Sequence, residues 1–469
     1  MAGKWPYKRV EEIALKVAMG PFGSSIKVET FTDTGIPIIS GQHLREAELT
    51  DSEFNFITEE HADSLKNANV QRGDVIFTHA GNIGQVAFIP NHSKYQRYVI
   101  SQRQFYLRCD TSLILPEFVV YYFKSPEGQH KLLANANQVG VPSIARPSSY
   151  LKTIEVPVPS IEEQQIVVRN IKALDAKIRA NRRINQTLEA MAQAIFKSWF
   201  VDFDPVKAKI TAIEQGEDPL RAAMRAISGK TDAELDQMPR EHHDQLAATA
   251  ALFPDAMEES ELGDIPKGWS FRQIAEFGEV VCGKTPAKSN PDYFGSGTPF
   301  IKIPDMHNNV YVTQSSEQLT VQGVASQPKK TIPPGSICVS CIATVGKVVL
   351  IHEPSQTNQQ INSIIPRRPE YSFYLYFQML EKQQVFLDLA SGGSATLNMN
   401  TSIFSKVETL LPDDGVITKF SELVMPVFSQ ILANQKQADN LAGLRDTLLP
   451  KLLSGELSVV DLDKEVALS

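Results

Sequence analysis

The sequence predicts an α+β protein in which two repeated mixed α/β domains are joined by two long antiparallel coiled-coil helices with pseudo-twofold symmetry. Three observations predict this fold. A long stretch of the chain recurs once. Short apolar runs bounded by Gly, Pro and Asn fill the first part of each copy, and a heptad pattern follows each copy. The 469 residues are enough for two domains and their helices.

The repeat is recognised from pairs of residues whose separation changes slowly along the chain. The matched pairs are Trp5 and Trp269, Pro37 and Pro299, Gly73 and Gly335, and Pro159 and Pro412. Their separation drifts in one direction, from 264 to 253 residues. Such a long unit indicates a duplicated domain rather than a solenoid of short repeats.

Each copy is expected to begin with strands and to continue with helices. The predicted strands are Ile36–Ile39, Asp74–Thr78, Val86–Pro90, Phe300–Ile303, Ile337–Cys341 and Val348–Ile351. The predicted helices are Pro116–Lys124, Glu127–Ala134 and Tyr371–Ala390.

A heptad seam follows each copy, from Gln164 to Trp199 and from Ile417 to Leu452. Asn181 and Asn434 stand at the middle of the two seams. In an antiparallel pair they meet and set the register; the alternative is that both face water. Pro426 predicts a kink in the second helix or a later start.

The chain therefore divides into five segments. They are domain 1 (1–158), long helix 1 (159–203), an acidic helical insert or linker (204–264), domain 2 (265–411), and long helix 2 with the C-terminal tail (412–469). The net charge is −8, but residues 205–264 alone hold 6 Lys and Arg against 13 Asp and Glu. Residues 1–150 hold 15 of each, and 265–410 hold 12 against 10. The acidic total therefore does not exclude nucleic acid as a partner of the two domains.

Composition excludes several other classes of protein. No run approaches 18 apolar residues, which argues against a membrane-spanning helix, and the N-terminus has no apolar signal segment. Four cysteines are too few for a disulfide framework. We expect a cytoplasmic protein.

Several motifs resemble those of one family, the specificity subunits of type I restriction–modification enzymes. The motifs are Gly20-Pro21-Phe22-Gly23-Ser24-Ser25, Gly283-Lys284-Thr285-Pro286, Arg72-Gly73-Asp74-Val75, Pro157-Val158-Pro159 with Glu162-Glu163-Gln164, the run from Phe196 to Pro205, and the run from Leu448 to Leu457. The resemblance covers nearly the whole chain, and the order and duplication of the motifs are more specific than any single one.

The resemblance implies a DNA-reading subunit without catalytic activity. Each domain would be a target-recognition domain for one half of a split, asymmetric sequence of double-stranded DNA. The paired helices would fix the spacing between the halves and dock two methyltransferase subunits, and motor-nuclease subunits would complete the complex. S-adenosylmethionine, ATP and Mg would be bound by those partners, and this chain would hold no cofactor or metal.

Polar side chains on loops are the candidates for contact with base edges. In domain 1 they are Ser24, Ser25, Lys27, Thr78, His79, Asn82, Gln102, Arg103, Gln104, Ser143 and Arg146. In domain 2 they are Lys284, Thr285, Lys288, Ser340, Thr344, Lys347, Asn358, Gln359, Gln360, Ser394 and Asn398. The alternative for each residue is a solvated surface position.

Three motifs suggest other chemistry but lack its context. Gly278–Thr285 matches the phosphate-binding loop pattern, yet Pro286 prevents the helix which that loop requires. Cys338 and Cys341 have no second ligand pair for zinc and are expected to be buried thiols. His242-His243 has no partner ligands and is expected at the surface.

Two alternative functions compete with DNA reading. A self-sufficient restriction or methylating enzyme would need a methyltransferase motif, a Gly-rich cofactor loop or metal-binding carboxylates, and the sequence offers none. A coiled-coil scaffold without sequence-specific DNA binding would not need the clustered polar loops.

Overall fold

The computed structural model describes residues 5–23, 25–137, 140–391 and 397–457. The chain forms two compact units. Unit 1 is Met1–Lys177 with Asn440–Ser469, and unit 2 is Ile178–Asp439. The boundaries of the units fall inside the two long helices, so each unit contains one repeated domain and a segment of both helices.

Unit 1 contains twelve described strands and four short helices. The strands are β1 (Tyr7–Arg9), β2 (Ala14–Met19), β3 (Ile36–Ile39), β4 (Phe56–Ile57), β5 (Asn69–Gln71), β6 (Asp74–Thr78), β7 (Val86–Phe88), β8 (Arg97–Ile100), β9 (Gln104–Cys109), β10 (Ala136–Asn137), β11 (Ser143–Ile144) and β12 (Glu155–Pro157). The helices are α1 (Glu59–Ser64), α2 (Pro116–Lys124), α3 (Pro126–Leu133) and α4 (Pro147–Thr153). Long helix α5 (Ile161–Phe200) starts in this unit.

Two four-stranded sheets form the body of this domain. The first has the order β2-β9-β6-β7 and is antiparallel. The second has the order β4-β3-β8-β5, in which β3 and β8 are parallel. Strand β6 is buried at every position, because its two faces pack in different hydrophobic clusters. Strand β1 pairs with β12, which brings the start of the domain to the base of α5.

Unit 2 contains the insert helices, the second domain and most of long helix α15 (Asp414–Leu453). The other helices are α6 (Asp204–Gln215), α7 (Pro219–Ser228), α8 (Asp232–Asp236), α9 (Arg240–Ala251), α10 (Ile274–Phe277), α11 (Val321–Ala325), α12 (Tyr371–Glu381), α13 (Gln383–Ala390) and α14 (Thr401–Ser405). The strands are β13 (Met257–Glu258), β14 (Ile265–Pro266), β15 (Ser270–Gln273), β16 (Gly278–Cys282), β17 (Phe294–Ile301), β18 (Glu317–Leu319), β19 (Ile337–Ser340), β20 (Val348–Leu350), β21 (Gln356–Thr357), β22 (Ile361–Pro366) and β23 (Glu408–Leu411).

The second domain repeats the topology of the first, which confirms the predicted duplication. Its antiparallel sheet β16-β22-β19-β20 corresponds to β2-β9-β6-β7. Its second sheet, β18-β17-β21, keeps the parallel pair β17 and β21, and β15 pairs with β23 as β1 does with β12. The single helix predicted over Tyr371–Ala390 is wrong in one respect: it is interrupted at Lys382, which separates α12 from α13.

The acidic insert folds as four helices, and the last three, α7, α8 and α9, form a small core from Ala223, Met224, Leu235 and Ala250. Its arginines are neutralised locally. Arg221 and Arg225 both contact Asp232, at 2.6 and 2.8 Å. The three arginines of the insert, Arg221, Arg225 and Arg240, are therefore all paired within the insert.

In unit 2 the segments of α5 and α15 pack antiparallel, as predicted. Asn181 Nδ2 donates to the Asn434 carbonyl oxygen at 3.3 Å and to Gln437 Oε1 at 2.8 Å. The Asn434 amide does not pair with Asn181 in return; its Nδ2 donates to Asn185 Oδ1 at 2.9 Å. Both seam asparagines are buried, so the alternative that they face water is wrong.

In unit 1 the helix segments are linked by an ion pair instead. Arg445 on α15 contacts Asp175 on α5 at 2.8 Å, and the Tyr121 hydroxyl donates to the same carboxylate at 3.1 Å. Asp175 is buried, and the two charges compensate each other there.

Pro426 predicted either a kink in the second long helix or a later start of that helix, and the structure tests the second of these. Helix α15 begins at Asp414, twelve residues earlier, so the later start is wrong. A proline in a helix removes one backbone hydrogen bond, and the buried Val424 and Phe428 on either side of it hold the helix against the core.

The described residues contain one helix, α15, that is long and apolar enough to cross a membrane by length and composition. The absence of a long apolar run in the sequence therefore does not by itself exclude a helix of this kind. The apolar face of α15 is buried in the core of unit 2 through Ile417, Phe420, Val424 and Ile431. One such helix is weak evidence for a membrane span, because the core helix of a soluble protein passes the same test.

Candidate nucleic-acid interface

In the first domain, backbone hydrogen bonds bring three loops to one end of the antiparallel sheet. Gly20, directly after β2, donates its N–H to the Gln104 carbonyl oxygen at 2.9 Å. A β-carbon on Gly20 would lie 2.2 Å from the Ser101 carbonyl oxygen, so only glycine fits at this crossing. His79 donates its N–H to the Arg103 carbonyl oxygen at 2.9 Å.

A fourth loop joins this end of the sheet through β11. Gly81 donates its N–H to the Pro142 carbonyl oxygen at 3.0 Å, and Ala80 forms a β-bridge with Ser143. The structure therefore brings together five of the eleven predicted side chains of domain 1: His79, Asn82, Gln102, Arg103 and Ser143.

The second domain builds the same framework with different residues. Gly283 donates its N–H to the Ile361 carbonyl oxygen at 3.0 Å, and Cys341 to that of Gln360 at 2.8 Å. Ala343 donates its N–H to the Leu397 carbonyl oxygen at 2.9 Å, and Ile342 forms a bridge with Asn398.

These matched bonds set the correspondence between the two loop clusters residue by residue. Gln359 and Gln360 occupy the places of Gln102 and Arg103, so Asn358 corresponds to Ser101. By the matched bridges, Asn398 corresponds to Ser143. The sequence leaves this correspondence open, because the offset between the copies changes along the chain.

The predicted side chains differ in how far they are available to a ligand. The exposed ones are Ser25, Lys27, Asn82, Gln102, Arg103, Arg146, Lys284, Lys288, Thr344, Gln359 and Asn398. The partly exposed ones are His79, Ser143, Thr285, Lys347 and Gln360. Ser24 and Ser394 lie outside the described residues.

Four predicted contacts are buried, and the structure corrects them. Thr78 and Gln104 are 2% and 1% exposed, and the Gln104 amide donates to Thr78 Oγ1 at 3.5 Å. Ser340 is fully buried and its Oγ accepts the N–H of Lys347 at 2.9 Å. Asn358 is 8% exposed and its Oδ1 accepts the N–H of Gln360 at 3.1 Å. These side chains are occupied in shaping the loops and do not reach a base edge as placed.

His79 contributes hydrogen bonding rather than charge. Its Nε2 lies 3.1 Å from the Gln102 carbonyl oxygen, which can only accept, so Nε2 carries the proton. Burial lowers the pKa of His79 below its ordinary value, which favours the neutral ring near neutral pH.

Two non-glycine residues of this region have left-handed backbone conformations. Arg146 precedes α4 with φ 46°, and Ala343 has φ 64° at the position where the first domain has Gly81 with φ 82°. Such conformations cost on the order of 1–2 kcal/mol for a residue with a β-carbon. They concentrate at functional sites, which supports both loops as parts of a site.

Phe22 is not among the contacts predicted from the sequence, and it lies on the loop directly after Gly20. Its side chain is 79% exposed. The signal that could have identified it is an aromatic residue between two glycines, Gly20 and Gly23, in a loop.

The motifs set aside in the sequence analysis lie in non-catalytic surroundings. Strand β16 ends at Cys282, and no helix starts at Lys284; a short 3-10 turn follows only at Pro291–Tyr293. Cys338 and Cys341 are buried, and burial raises the pKa of the Cys341 thiol to about 11. Within the described ranges, no group of three or more His, Cys, Asp or Glu residues could hold a metal ion. His242 is exposed on α9.

Comparison with known proteins gives one consistent family. The family model described as type I restriction modification DNA specificity domain matches residues 4–190 and 266–430, once in each repeat. The type I restriction enzyme HindI specificity subunit of Haemophilus influenzae is 42% identical over 405 residues, covering 83% of this chain and 87% of that protein. The MjaIX specificity subunit of Methanocaldococcus jannaschii is 24% identical and covers 98% and 94% of the two chains.

A solved structure has a similar fold. The S subunit of a type I restriction–modification system from M. genitalium superposes with a TM-score of 0.52 at 13% identity, covering 96% of each chain. At this identity the likeness concerns the fold alone.

Proposed function

The chain belongs to the specificity subunits of type I restriction–modification enzymes, and from this premise we propose that its two domains each read one half of a bipartite, asymmetric DNA target with a fixed spacer. Members of this family are non-catalytic, and they work in a complex with DNA and the other restriction–modification subunits. The competing possibilities of a self-sufficient enzyme or a scaffold without DNA recognition are therefore not favoured.

This proposal rests on one observation: the two domains hold their loops with the same backbone hydrogen bonds but carry different side chains on those loops. The backbone bonds at Gly20 and Gly283 are equivalent, as are those at His79 and Cys341. Arg103 in the first domain is replaced by Gln360 in the second. Arginine pairs best with guanine and glutamine with adenine. Two similar domains with different side chains fit two different half-sites, and hence an asymmetric target.

The partners we propose follow the family. Two methyltransferase subunits would bind S-adenosylmethionine, and motor-nuclease subunits would bind ATP and Mg, all in the cytoplasm. The long helices α5 and α15 would dock the methyltransferase subunits and fix the spacer.

The proposal predicts that selection from random duplexes yields a two-part motif. In this experiment the chain is first assembled with its methyltransferase subunits and mixed with the random duplexes. The duplexes that bind to the complex are recovered and sequenced. We expect two specified blocks separated by a spacer of constant length. Arg103→Gln should change the preference in one block only, because the two loop sets are separate. Retention of unrelated sequences, or a change in both blocks, would contradict the proposal.

A second prediction concerns the phosphate-loop pattern at Gly278–Thr285. We expect the purified chain to release no phosphate from ATP, because no helix N-terminus stands at Lys284 to meet a phosphate group. The measurement is phosphate release over hours, with Lys284→Ala as the matched variant. Hydrolysis that disappears in Lys284→Ala would show that the loop binds nucleotide.

A further inference from the structure

The first domain presents one aromatic side chain to solvent at its loop end. Phe22 is 79% exposed, although burying a phenylalanine side chain is ordinarily worth about 1.5–3 kcal/mol. A single exposed apolar residue is common on protein surfaces. Phe22 is singled out by its position beside the loops of the candidate interface.

The loop that carries Phe22 is held at several points. Ser25 Oγ donates to the Phe22 carbonyl oxygen at 2.8 Å, and His61 Nε2 contacts the Ser25 carbonyl oxygen at 2.9 Å. Gly23 has φ 65°, the left-handed conformation that favours glycine. These contacts hold the backbone on either side of Phe22, whose ring is exposed to solvent.

The same loop starts within the candidate interface. The N–H of Gly20 is bonded to the Gln104 carbonyl oxygen. Phe22 follows Gly20 by two residues, so the α-carbons of Gly20 and Phe22 are at most about 7 Å apart. Gln102 and Arg103, both exposed, stand on the neighbouring loop. An apolar ring thus adjoins the polar groups that are suited to base edges.

The second domain does not offer a ring at this place. Counting from the equivalent Gly283, the residue that corresponds to Phe22 is Thr285, whose hydroxyl donates to Gln359 Oε1 at 2.7 Å. The aromatic ring is therefore a difference between the two interfaces and not part of the shared framework.

We propose that Phe22 makes an apolar contact with a base in the half-site read by the first domain, and so determines specificity at that position. This inference rests on the function proposed above. Two apolar features of DNA can receive a phenylalanine ring: the methyl group of thymine, and the face of a base at a partly unstacked step. Either contact buries the ring and discriminates among sequences.

The test uses the chain assembled with its methyltransferase subunits and the duplex found by selection. Phe22→Ala should weaken binding to that duplex about ten- to hundredfold, the range seen when a stacked aromatic residue is removed. Binding to an unrelated duplex should change less than about threefold, because phosphate contacts are retained. Leu262→Ala, which removes an exposed apolar side chain from the insert, is the matched control and should change neither affinity.

Two substituted duplex series then separate the kinds of contact. If the ring touches a thymine methyl, replacing that thymine by uracil weakens wild-type binding and leaves Phe22→Ala unaffected. If the ring unstacks a step, 2-aminopurine placed there brightens with wild type and not with Phe22→Ala.

Three outcomes would overturn the inference. The first is that Phe22→Ala binds the target duplex as tightly as wild type does. The second is that Phe22→Ala fails to assemble with the methyltransferase subunits while its target preference is unchanged, which would assign the ring to a protein contact. The third is that neither duplex series responds, which would leave the ring as a surface residue. If the wild-type complex itself prefers no duplex, it is the proposed function that fails. This result differs from the three above, in which wild type recognises its target and only the inference about Phe22 fails.

Discussion

The affinity of the chain for its DNA target is expected to fall by about three to five orders of magnitude between about 50 and 200 mM salt, if six to ten phosphates are contacted. Each phosphate neutralised by Lys or Arg releases condensed counterions, and that release is less favourable at high salt. Exposed cations at both interfaces, including Lys27, Arg103, Arg146 and Lys284, can supply such contacts. The insert is not expected to supply them, because its 13 Asp and Glu outnumber its 6 Lys and Arg and would repel phosphate.

The measurement is a binding titration at several salt concentrations. Lys284→Ala should lower the slope of log affinity against log salt by about one. The matched control is Lys230→Ala, which removes an exposed lysine from the insert and should leave the slope unchanged. An affinity that does not depend on salt would show that the polar loops do not face the phosphate backbone.

Phe420→Ala should reduce the free energy of unfolding of unit 2 by about 3–5 kcal/mol, the usual cost of deleting a buried phenylalanine ring. Phe420 on α15 is fully buried. Its ring centroid lies 5.3 Å from that of Phe200, 5.9 Å from that of Phe196 and 6.1 Å from that of Phe377. The variant would leave a cavity where α5, α12 and α15 meet.

Chemical denaturation of the purified chain measures this effect. Leu423→Ala, on the same helix but 49% exposed, is the control and should change stability by less than about 0.5 kcal/mol. Equal destabilisation by the two variants would mean that α15 is not seated on the core through Phe420.

The sequence by itself determined the repeated architecture and the family. Duplicated glycines and prolines mark positions where backbone geometry tolerates few residues, so the repeat remains visible although most side chains differ. Strands β3 and β6 and helix α2 were predicted with their observed limits, because their apolar runs are bounded by Gly or Pro. The heptad pattern predicted that Asn181 and Asn434 are covered, because periodicity fixes which face of a helix is buried. That the two residues meet followed from their central places in two antiparallel seams.

The tertiary structure decided which polar side chains remain available. Thr78 and Gln104 read like surface residues in the sequence, yet strand pairing of β6 with β9 buries them. Phe22 reads like a core residue, yet the loop built by Gly23, Ser25 and His61 exposes it. Burial of a loop residue depends on backbone bonds to residues far along the chain, such as that between Gly20 and Gln104, and local sequence does not encode those partners.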